Sequence, residues 1–357
     1  MNLLEKSKSL IIDATGGILS KFDKLPLFIS PMGIVIEITR DCNLNCIMCP
    51  RNFSNDKTTN MTYDQFIYIV KQLPALRHIT ILGRGETLIN PYVFDMLKTQ
   101  GIYFTIVTNG FLLTEKNINK LGNVSHVVVS IDSPNKDTYK NIRGANLDIL
   151  ITNLKKLKKI RPDIKITIQS ILMKFNMLEL DGFLSLLKAI GTGCLSFVNL
   201  IAFNETLSYQ HQINIENSII RLKQIQKKAD FEKIHLISTP LLPPRKCFTP
   251  WTTPRITIEG DVYPCCFIYN TSGDCWQEWC MGFKIDVPQL NYKLGNLFET
   301  PMKSILNSDS FVELRKVVRR ANKSTLSVEQ IKSLVSNINS SRFYYCNICF
   351  MRHNISC

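Results

Sequence analysis

"IVIEITRDCNLNCIMC", residues 34–49, runs from a β-branched stretch straight into three cysteines spaced CxxxCxxC. The first part, "IVIEITR" (34–40), predicts a strand, because β-branched side chains suit a pleated and largely buried surface. The octet "CNLNCIMC" (42–49) then places three thiols on the loop that leaves the strand. Three thiolates on one short loop can converge on a single metal site, whereas three unrelated core cysteines would reach this spacing only by accident. Zinc would need a fourth ligand, and neither His nor another Cys follows closely, although Asp41 precedes the loop. A [4Fe-4S] cubane can instead be held by three thiolates, leaving one iron open to a group that is not protein.

Outward from this loop the chain alternates strand-like runs with helical ones. After residues 34–40 the strand-like runs are 78–83, 103–110, 126–132, 165–172 and 195–201, with a seventh at 233–238. Helical spacing of apolar residues falls at 62–73, 90–100, 114–122, 147–160, 178–190 and 215–229. Six βα units with nearly continuous apolar strands predict an α/β fold, a parallel sheet curled into a partial (β/α)6 TIM-like barrel. Such folds carry their chemistry on loops after the strands' C-terminal ends. The unusual residues fall there: "CNLNCIMC" after the first strand, "GRGE" (83–86) after the second, "TNG" (108–110) at the end of the third and "SIDS" (130–133) at the end of the fourth.

The totals exclude some classes of function. At 357 residues and 45% apolar content the chain should be globular, and no window approaches the roughly 20 apolar residues of a membrane span. "LIIDATGGIL" (9–18) is broken by Asp13 and two glycines, so a secretory leader is not expected and a cytoplasmic setting is. The net charge of +14 is scattered. Its densest runs, 153–165 and 313–320, fit solvated helix faces without interleaved aromatics, which argues against a nucleic-acid partner. Twelve cysteines gathered toward the two ends at short gaps suit metal ligation better than disulfides.

With these residues in place, the chain resembles the radical S-adenosylmethionine (SAM) superfamily over about residues 31–240. The resemblance implies that Cys42, Cys46 and Cys49 ligate three irons of a [4Fe-4S] cluster and that SAM occupies the fourth. Met48 stands where the family often has an aromatic residue beside the adenine. Gly83 and Gly85 would let the backbone approach SAM, and Glu86 would accept from its ammonium; Arg84 replaces a common glycine. Ser130 and Asp132 fall at the ribose hydroxyls and Arg143 at the SAM carboxylate. An external electron donor such as flavodoxin or ferredoxin is implied as a partner.

Beyond the proline-rich "TPLLPPRKC" (239–247) the pattern changes, giving three expected parts: a segment 1–30, the barrel 31–240 and a small α+β unit 241–357. "PRITIEGDVYPCC" (254–266) reads as a hairpin turning at "EGD", and 302–320 reads as helical. Cys247, Cys265, Cys346 and Cys349 make four ligands for a cluster or for zinc. The region resembles the SPASM and twitch extensions of radical SAM enzymes, implying an auxiliary [4Fe-4S] cluster. Cys266, Cys275, Cys280 and Cys357 leave a second auxiliary cluster open, while Cys194 reads as a buried thiol. A fully ligated cluster suits electron transfer. The leading expectation is therefore oxidation of a small polar metabolite of the sugar or aminocyclitol type, with peptide modification as the rival. The roughly 30 residues ahead of the first strand are too few for a peptide-binding domain, which a separate protein would then supply. Candidate cavity residues are Asn109, Gln169, Asn199 and Asn204. Anaerobic iron and sulfide analysis should give about eight irons, falling to about four when Cys42, Cys46 and Cys49 are changed to alanine; zinc in the C-terminal part would refute the auxiliary cluster.

Overall fold

The structure is a computed structural model that describes residues 17–22, 30–53, 59–202, 204–211, 213, 215–238, 241, 246–265, 275–280, 283–288, 292–323, 326, 327, 330 and 333. Seven strands run parallel in chain order: β1 Gly33–Ile36, β2 His78–Ile81, β3 Tyr103–Thr108, β4 Val124–Ser130, β5 Lys165–Leu172, β6 Cys194–Asn199 and β7 His235–Ser238. Their alternation decides the faces. Ile34, Ile36, Ile79, Ile81, Phe104, Ile106, Val127, Val129, Ile166, Ile168, Leu195 and Phe197 are all buried in one core cluster. That face packs under the helices, so the residues between them, such as Val128, Ser130, Gln169 and Ser196, point to the other face and line the barrel's interior.

The covering helices are α1 Tyr63–Lys71, α2 Val93–Met96, α3 Glu115–Ile118, α4 Lys136–Arg143, α5 Leu147–Ile160, α6 Leu180–Ile190, α7 Glu205–His211 and α8 Ile215–Phe231. The spacing over 90–100 and 114–122 overstates α2 and α3. Helix α4 was hidden by a mostly polar sequence, yet its ends are signalled locally. Asn135 caps its start, accepting from Asp137 N at 2.9 Å and Thr138 N at 3.1 Å, and Gly144 closes it at φ 70°.

The sheet does not stop at β1. Strand β8 Arg255–Ile256 adds in parallel to the free edge of β1, β9 Asp261–Tyr263 pairs antiparallel with β8, and β12 Gly295–Asn296 pairs antiparallel with β9. The resulting ten-stranded sheet has the order β12-β9-β8-β1-β2-β3-β4-β5-β6-β7, while β10 Cys275–Cys280 and β11 Phe283–Pro288 form a separate hairpin. The barrel is thus open, with its first strand shared by the C-terminal region. The turn expected at "EGD" is present: Gly260 has φ 83°, and a Cβ there would lie 2.7 Å from the Phe298 ring. Helix α9 Thr249–Thr252 precedes β8, and residues 302–320 divide into α10 Met302–Leu306 and α11 Asp309–Ala321. Ser308 starts a new cap there, accepting from Phe311 N at 3.3 Å.

A buried carboxylate joins the two regions. Glu37, fully buried just past β1, accepts at Oε1 from Arg84 N at 3.0 Å, Arg84 Nε at 3.3 Å and Arg255 Nη2 at 3.4 Å. Arg40 approaches its Oε2 at 3.5 Å and pairs with Glu259 at 2.6 Å. Burial opposes ionisation of Glu37, but the guanidinium groups of Arg255, Arg84 and Arg40 outweigh it and hold the carboxyl below its ordinary value of 4.5. Cysteine 194, expected to be buried, is half-exposed at the start of β6 opposite His235. Changing Glu37 to Gln should lower stability by about 3–5 kcal/mol, since the buried guanidinium groups of Arg84 and Arg255 lose the Glu37 charge while Arg40 keeps Glu259. Because the folded pKa is depressed, the difference from wild type should be fully present above pH 4.5 and should close as pH falls below it, read from urea midpoints.

Candidate cluster and cofactor site

The loop after β1 is tied down at both ends before it presents its cysteines. Arg40 N donates to Thr59 O at 3.0 Å, and Asn90 Nδ2 donates to Ile38 O at 2.7 Å and Met61 O at 2.9 Å. Asp41 accepts from Asn60 Nδ2 at 2.7 Å, so this carboxylate has a structural partner within the chain. Inside the octet, Cys49 N donates to Cys46 O at 3.0 Å and Asn52 Nδ2 reaches the same carbonyl at 2.8 Å. Cys46 is 7% exposed, Cys42 and Cys49 are half-buried, and all three are free thiols. Burial pushes the Cys42 thiol up and the Cys46 thiol up to about 11, with the neighbouring cysteines adding in the same direction. Two sulfurs face N–H donors: Arg143 Nη1 lies 3.6 Å from Cys46 Sγ and Asn109 Nδ2 lies 3.9 Å from Cys42 Sγ.

Among the described residues no three His, Cys, Asp or Glu side chains converge as they would on a single metal ion. A cubane asks for something else, three thiolates on separate corners, and N–H groups directed at the sulfurs favour that charged donor set. The residues of the octet therefore fit an iron–sulfur cluster better than a mononuclear site.

The loop after β2 docks on the octet's approach. Glu86 N donates to Asp41 O at 2.7 Å. A Cβ on Gly85 would stand 2.5 Å from Thr39 O and 2.6 Å from Asp41 O, and one on Gly83 would meet Glu37 Cγ at 2.6 Å. Both glycines are needed for close backbone approach within the chain itself. Arg84, which replaces a glycine common in the family, turns inward to Glu37 and is 4% exposed. The Glu86 carboxylate is engaged by the protein. Oε1 accepts from Thr108 Oγ1 at 2.6 Å and Leu88 N at 3.2 Å, and Oε2 accepts from Asn109 N at 2.7 Å. Burial raises its pKa, opposed by these hydrogen bonds.

The remaining candidates gather on the same rim with different partners from those expected. Asp132 is fully buried: Oδ1 accepts from Ile171 N at 2.8 Å, and Oδ2 accepts from Arg143 Nε at 2.5 Å. Asp132 and Arg143, assigned above to opposite ends of SAM, are bonded to each other. Ser130 remains half-buried at the end of β4. Met48 is 4% exposed in a small apolar cluster with Cys46, Ile142, Met173, Leu200, Ala202 and Leu207. Of the cavity candidates, Asn109 bonds Asn43 Oδ1 at 2.8 Å, Asn204 accepts from Leu207 N at 2.7 Å, Asn199 Oδ1 is buried without a partner among the described residues, and Gln169 lies on the interior face. Sequence reasoning missed Asn176, fully buried, whose Nδ2 reaches Asp132 O at 2.6 Å and Ile171 O at 2.7 Å. Its bond to Ile171 O is local, but the one to Asp132 O crosses 44 residues and has no signature in the nearby sequence.

In the C-terminal region Cys247 is gripped by Asn322, which accepts from its N at 2.9 Å and donates to its O at 2.9 Å. Cys247 and Cys265 are half-buried and packed against the main core. Cys346, Cys349, Cys266 and Cys357 lie outside the described residues, and Cys275 and Cys280 are the end residues of β10.

Comparison with known proteins meets this geometry in both regions. Residues 36–187 match the Radical SAM superfamily, and residues 247–330 match SPASM, an iron-sulfur cluster-binding domain. A tungsten-containing aldehyde ferredoxin oxidoreductase cofactor-modifying protein of Pyrococcus furiosus is 25% identical over 305 residues, 80% of this chain and 83% of that protein. An AdoMet-dependent heme synthase of Methanosarcina barkeri is 30% identical over 171 residues, 45% of this chain and 48% of that protein. Among solved structures, anSMEcpe with bound AdoMet aligns with TM-score 0.64 at 16% identity, covering 90% of this chain and 96% of that one. Streptococcus suis SuiB bound to S-adenosylmethionine aligns with TM-score 0.63 at 16% identity, covering 88% and 72%. At these identities the structures speak to the fold. No helix among the described residues is long and apolar enough to cross a membrane. Changing Gly85 to Ala should force the 83–86 loop off the Thr39 and Asp41 carbonyls, lowering stability by about 1–3 kcal/mol and weakening SAM binding, measured by thermal denaturation and equilibrium dialysis.

Proposed function

We propose that this chain, a radical SAM enzyme carrying a SPASM iron–sulfur domain, oxidises a small polar metabolite of the sugar or aminocyclitol type. In this reading residues 31–240 form the SAM-cleaving barrel and 241–357 the auxiliary unit, and the enzyme works in the reducing cytoplasm with a flavodoxin-like or ferredoxin-like donor. Cys42, Cys46 and Cys49 hold the SAM-binding [4Fe-4S] cluster, and Cys247, Cys265, Cys346 and Cys349 hold the auxiliary one. When bound, these groups supply the electron that cleaves SAM to a 5′-deoxyadenosyl radical and an acceptor for the electron left on the substrate after hydrogen abstraction.

The chain's own residues prepare the site. Gly83 and Gly85 seat the second loop against the first, and Glu86 fixes the 108–110 turn, so the backbone around both is rigid where SAM's methionine moiety binds. The apolar wall around Met48 suits the adenine, and Ser130 is the half-buried hydroxyl for the ribose. Asp132, with no exposed surface, acts through Arg143, whose remaining N–H groups serve the SAM carboxylate.

The observation that carries the substrate class is a polar row inside the barrel. Beside Ser130 on β4, Gln169 on β5 and Ser196 on β6 are register partners, both half-buried on the interior face. Hydroxyl and amide groups in a row can match the spaced hydroxyls of a polyol, and a site built to hydrogen-bond its substrate rejects analogues that cannot do so. Loss of a hydrogen atom, an electron and a proton from a secondary alcohol gives a ketone. A second reading, peptide modification, is favoured by the exposed rim residues Leu178 and Tyr209, which are 89% and 81% exposed.

The test is anaerobic incubation of the reconstituted enzyme with SAM, dithionite and a panel of deuterated polyols and aminocyclitols. The expected result is deuterium in 5′-deoxyadenosine together with a product two hydrogens lighter. Q169A should lower turnover of the accepted substrate at least tenfold, about 1.4 kcal/mol, while leaving the substrate-independent cleavage of SAM in place. Deuterium transfer only from a peptide would establish the second reading in its place.

A further inference from the structure

We propose that Arg143 tunes the reduction potential of the cluster held by the 42–49 loop, by donating a hydrogen bond to the Cys46 sulfur, and that Asp132 aims it. This rests on the reading of that loop as a cluster site, and it gives Arg143 a task that does not require SAM.

The contact is built from several directions. Arg143 is the last residue of α4, and the end of that helix is joined to the cysteine loop by Ile47 N donating to Ile142 O at 3.0 Å. The Arg143 side chain is 11% exposed and that of Asp132 is 0% exposed. One Asp132 oxygen holds Arg143 Nε at 2.5 Å and the other is pinned by Ile171 N at 2.8 Å, so the carboxylate cannot turn away. Its backbone carbonyl is pinned as well, by Asn176 Nδ2 at 2.6 Å. With Nε fixed, the planar guanidinium has one orientation, and Nη1 falls 3.6 Å from Cys46 Sγ. Tyr139, one turn earlier on α4 and fully buried, closes the region to solvent. The donors at Cys42 are neutral: Asn109 Nδ2, longer at 3.9 Å, and the Leu44 backbone N–H.

Reduction adds one electron to the cluster without making or breaking a bond, and part of the added charge resides on the thiolate sulfurs. A charge-assisted N–H at one sulfur, in a pocket with little water, therefore stabilises the reduced state more than the oxidised one. Removing it makes the cluster harder to reduce. The buried Asp132 counter-charge offsets the long-range field of Arg143, so the short-range hydrogen bond is what survives as the tuning element.

The experiment is a potentiometric titration of the reconstituted full chain followed by electron paramagnetic resonance, without SAM. Protein with Cys42, Cys46 and Cys49 changed to alanine provides the auxiliary signal for subtraction. In the double variant R143M/D132N the ion pair is removed together with the sulfur hydrogen bond, so the net charge beside the loop is unchanged while the donor to Cys46 is lost. The midpoint potential should become more negative at unchanged iron content. R143K keeps the charge but cannot span Asp132 and Cys46 together, and should shift in the same direction by less; it carries the test by itself if the double variant fails to fold. Midpoints equal to wild type in the variants that hold the cluster would overturn the proposal, even if SAM binding weakens. Wild-type protein that holds no iron at the 42–49 loop would instead refute the cluster reading beneath it.

Discussion

Glu37 is the residue on which the arrangement turns. A carboxylate with no solvent contact sits just beyond β1, where the cysteine loop begins, and it stays ionised because arginines from three segments surround it. Arg84 comes from the loop after β2, Arg255 from β8, and Arg40 from the approach to Cys42 and on to Glu259. A buried charge left unpaired is costly, so the three segments are selected together or not at all. That requirement places the C-terminal strands against the free edge of β1. The auxiliary region is thereby a continuation of the barrel's sheet, with no flexible tether needed between β1 and β8.

From that anchor the rim is assembled loop by loop, each bracing the next. The 83–86 loop rests on the Thr39 and Asp41 carbonyls through Gly85, and Glu86 reaches across to Thr108 and Asn109. Asn109 returns to Asn43 and Cys42, while Asp132 and Arg143 close the circle at Cys46. Most of these polar groups are buried and bonded to one another, which holds the loops around the octet in one arrangement. The interior face carries Ser130, Gln169 and Ser196 in register.

Several residues thus serve the site through other residues. Asp132 and Glu86 carry charges suited to a ligand, yet both are at most 2% exposed and spend their oxygens on the protein. Glu86 caps the short helical turn that follows it at Leu88 N and braces the 108–110 turn through Asn109 N. The glycine common in the family at position 84 is replaced by Arg because here Glu37 offers a buried partner for the guanidinium.

The sequence by itself determined the parallel αβ succession, the loops at the strands' C-terminal ends, the octet with its three cysteines, and the "EGD" hairpin, because each is encoded in residues within a few positions of one another. Hydrophobic alternation, turn glycines and cysteine spacing are local signals. Local signals also misjudged lengths: α2 and α3 are short and α4 was passed over, since their limits depend on what packs against them. Only the tertiary structure decided that Asp132 belongs to Arg143, that Arg84 belongs to Glu37, that Asn176 braces Asp132 and that β8 extends the barrel. Glu37 and Arg255 stand 218 residues apart. Partners at such distances meet only after folding, when burial makes every unpaired charge costly, and no spacing along the chain announces which charge will answer which.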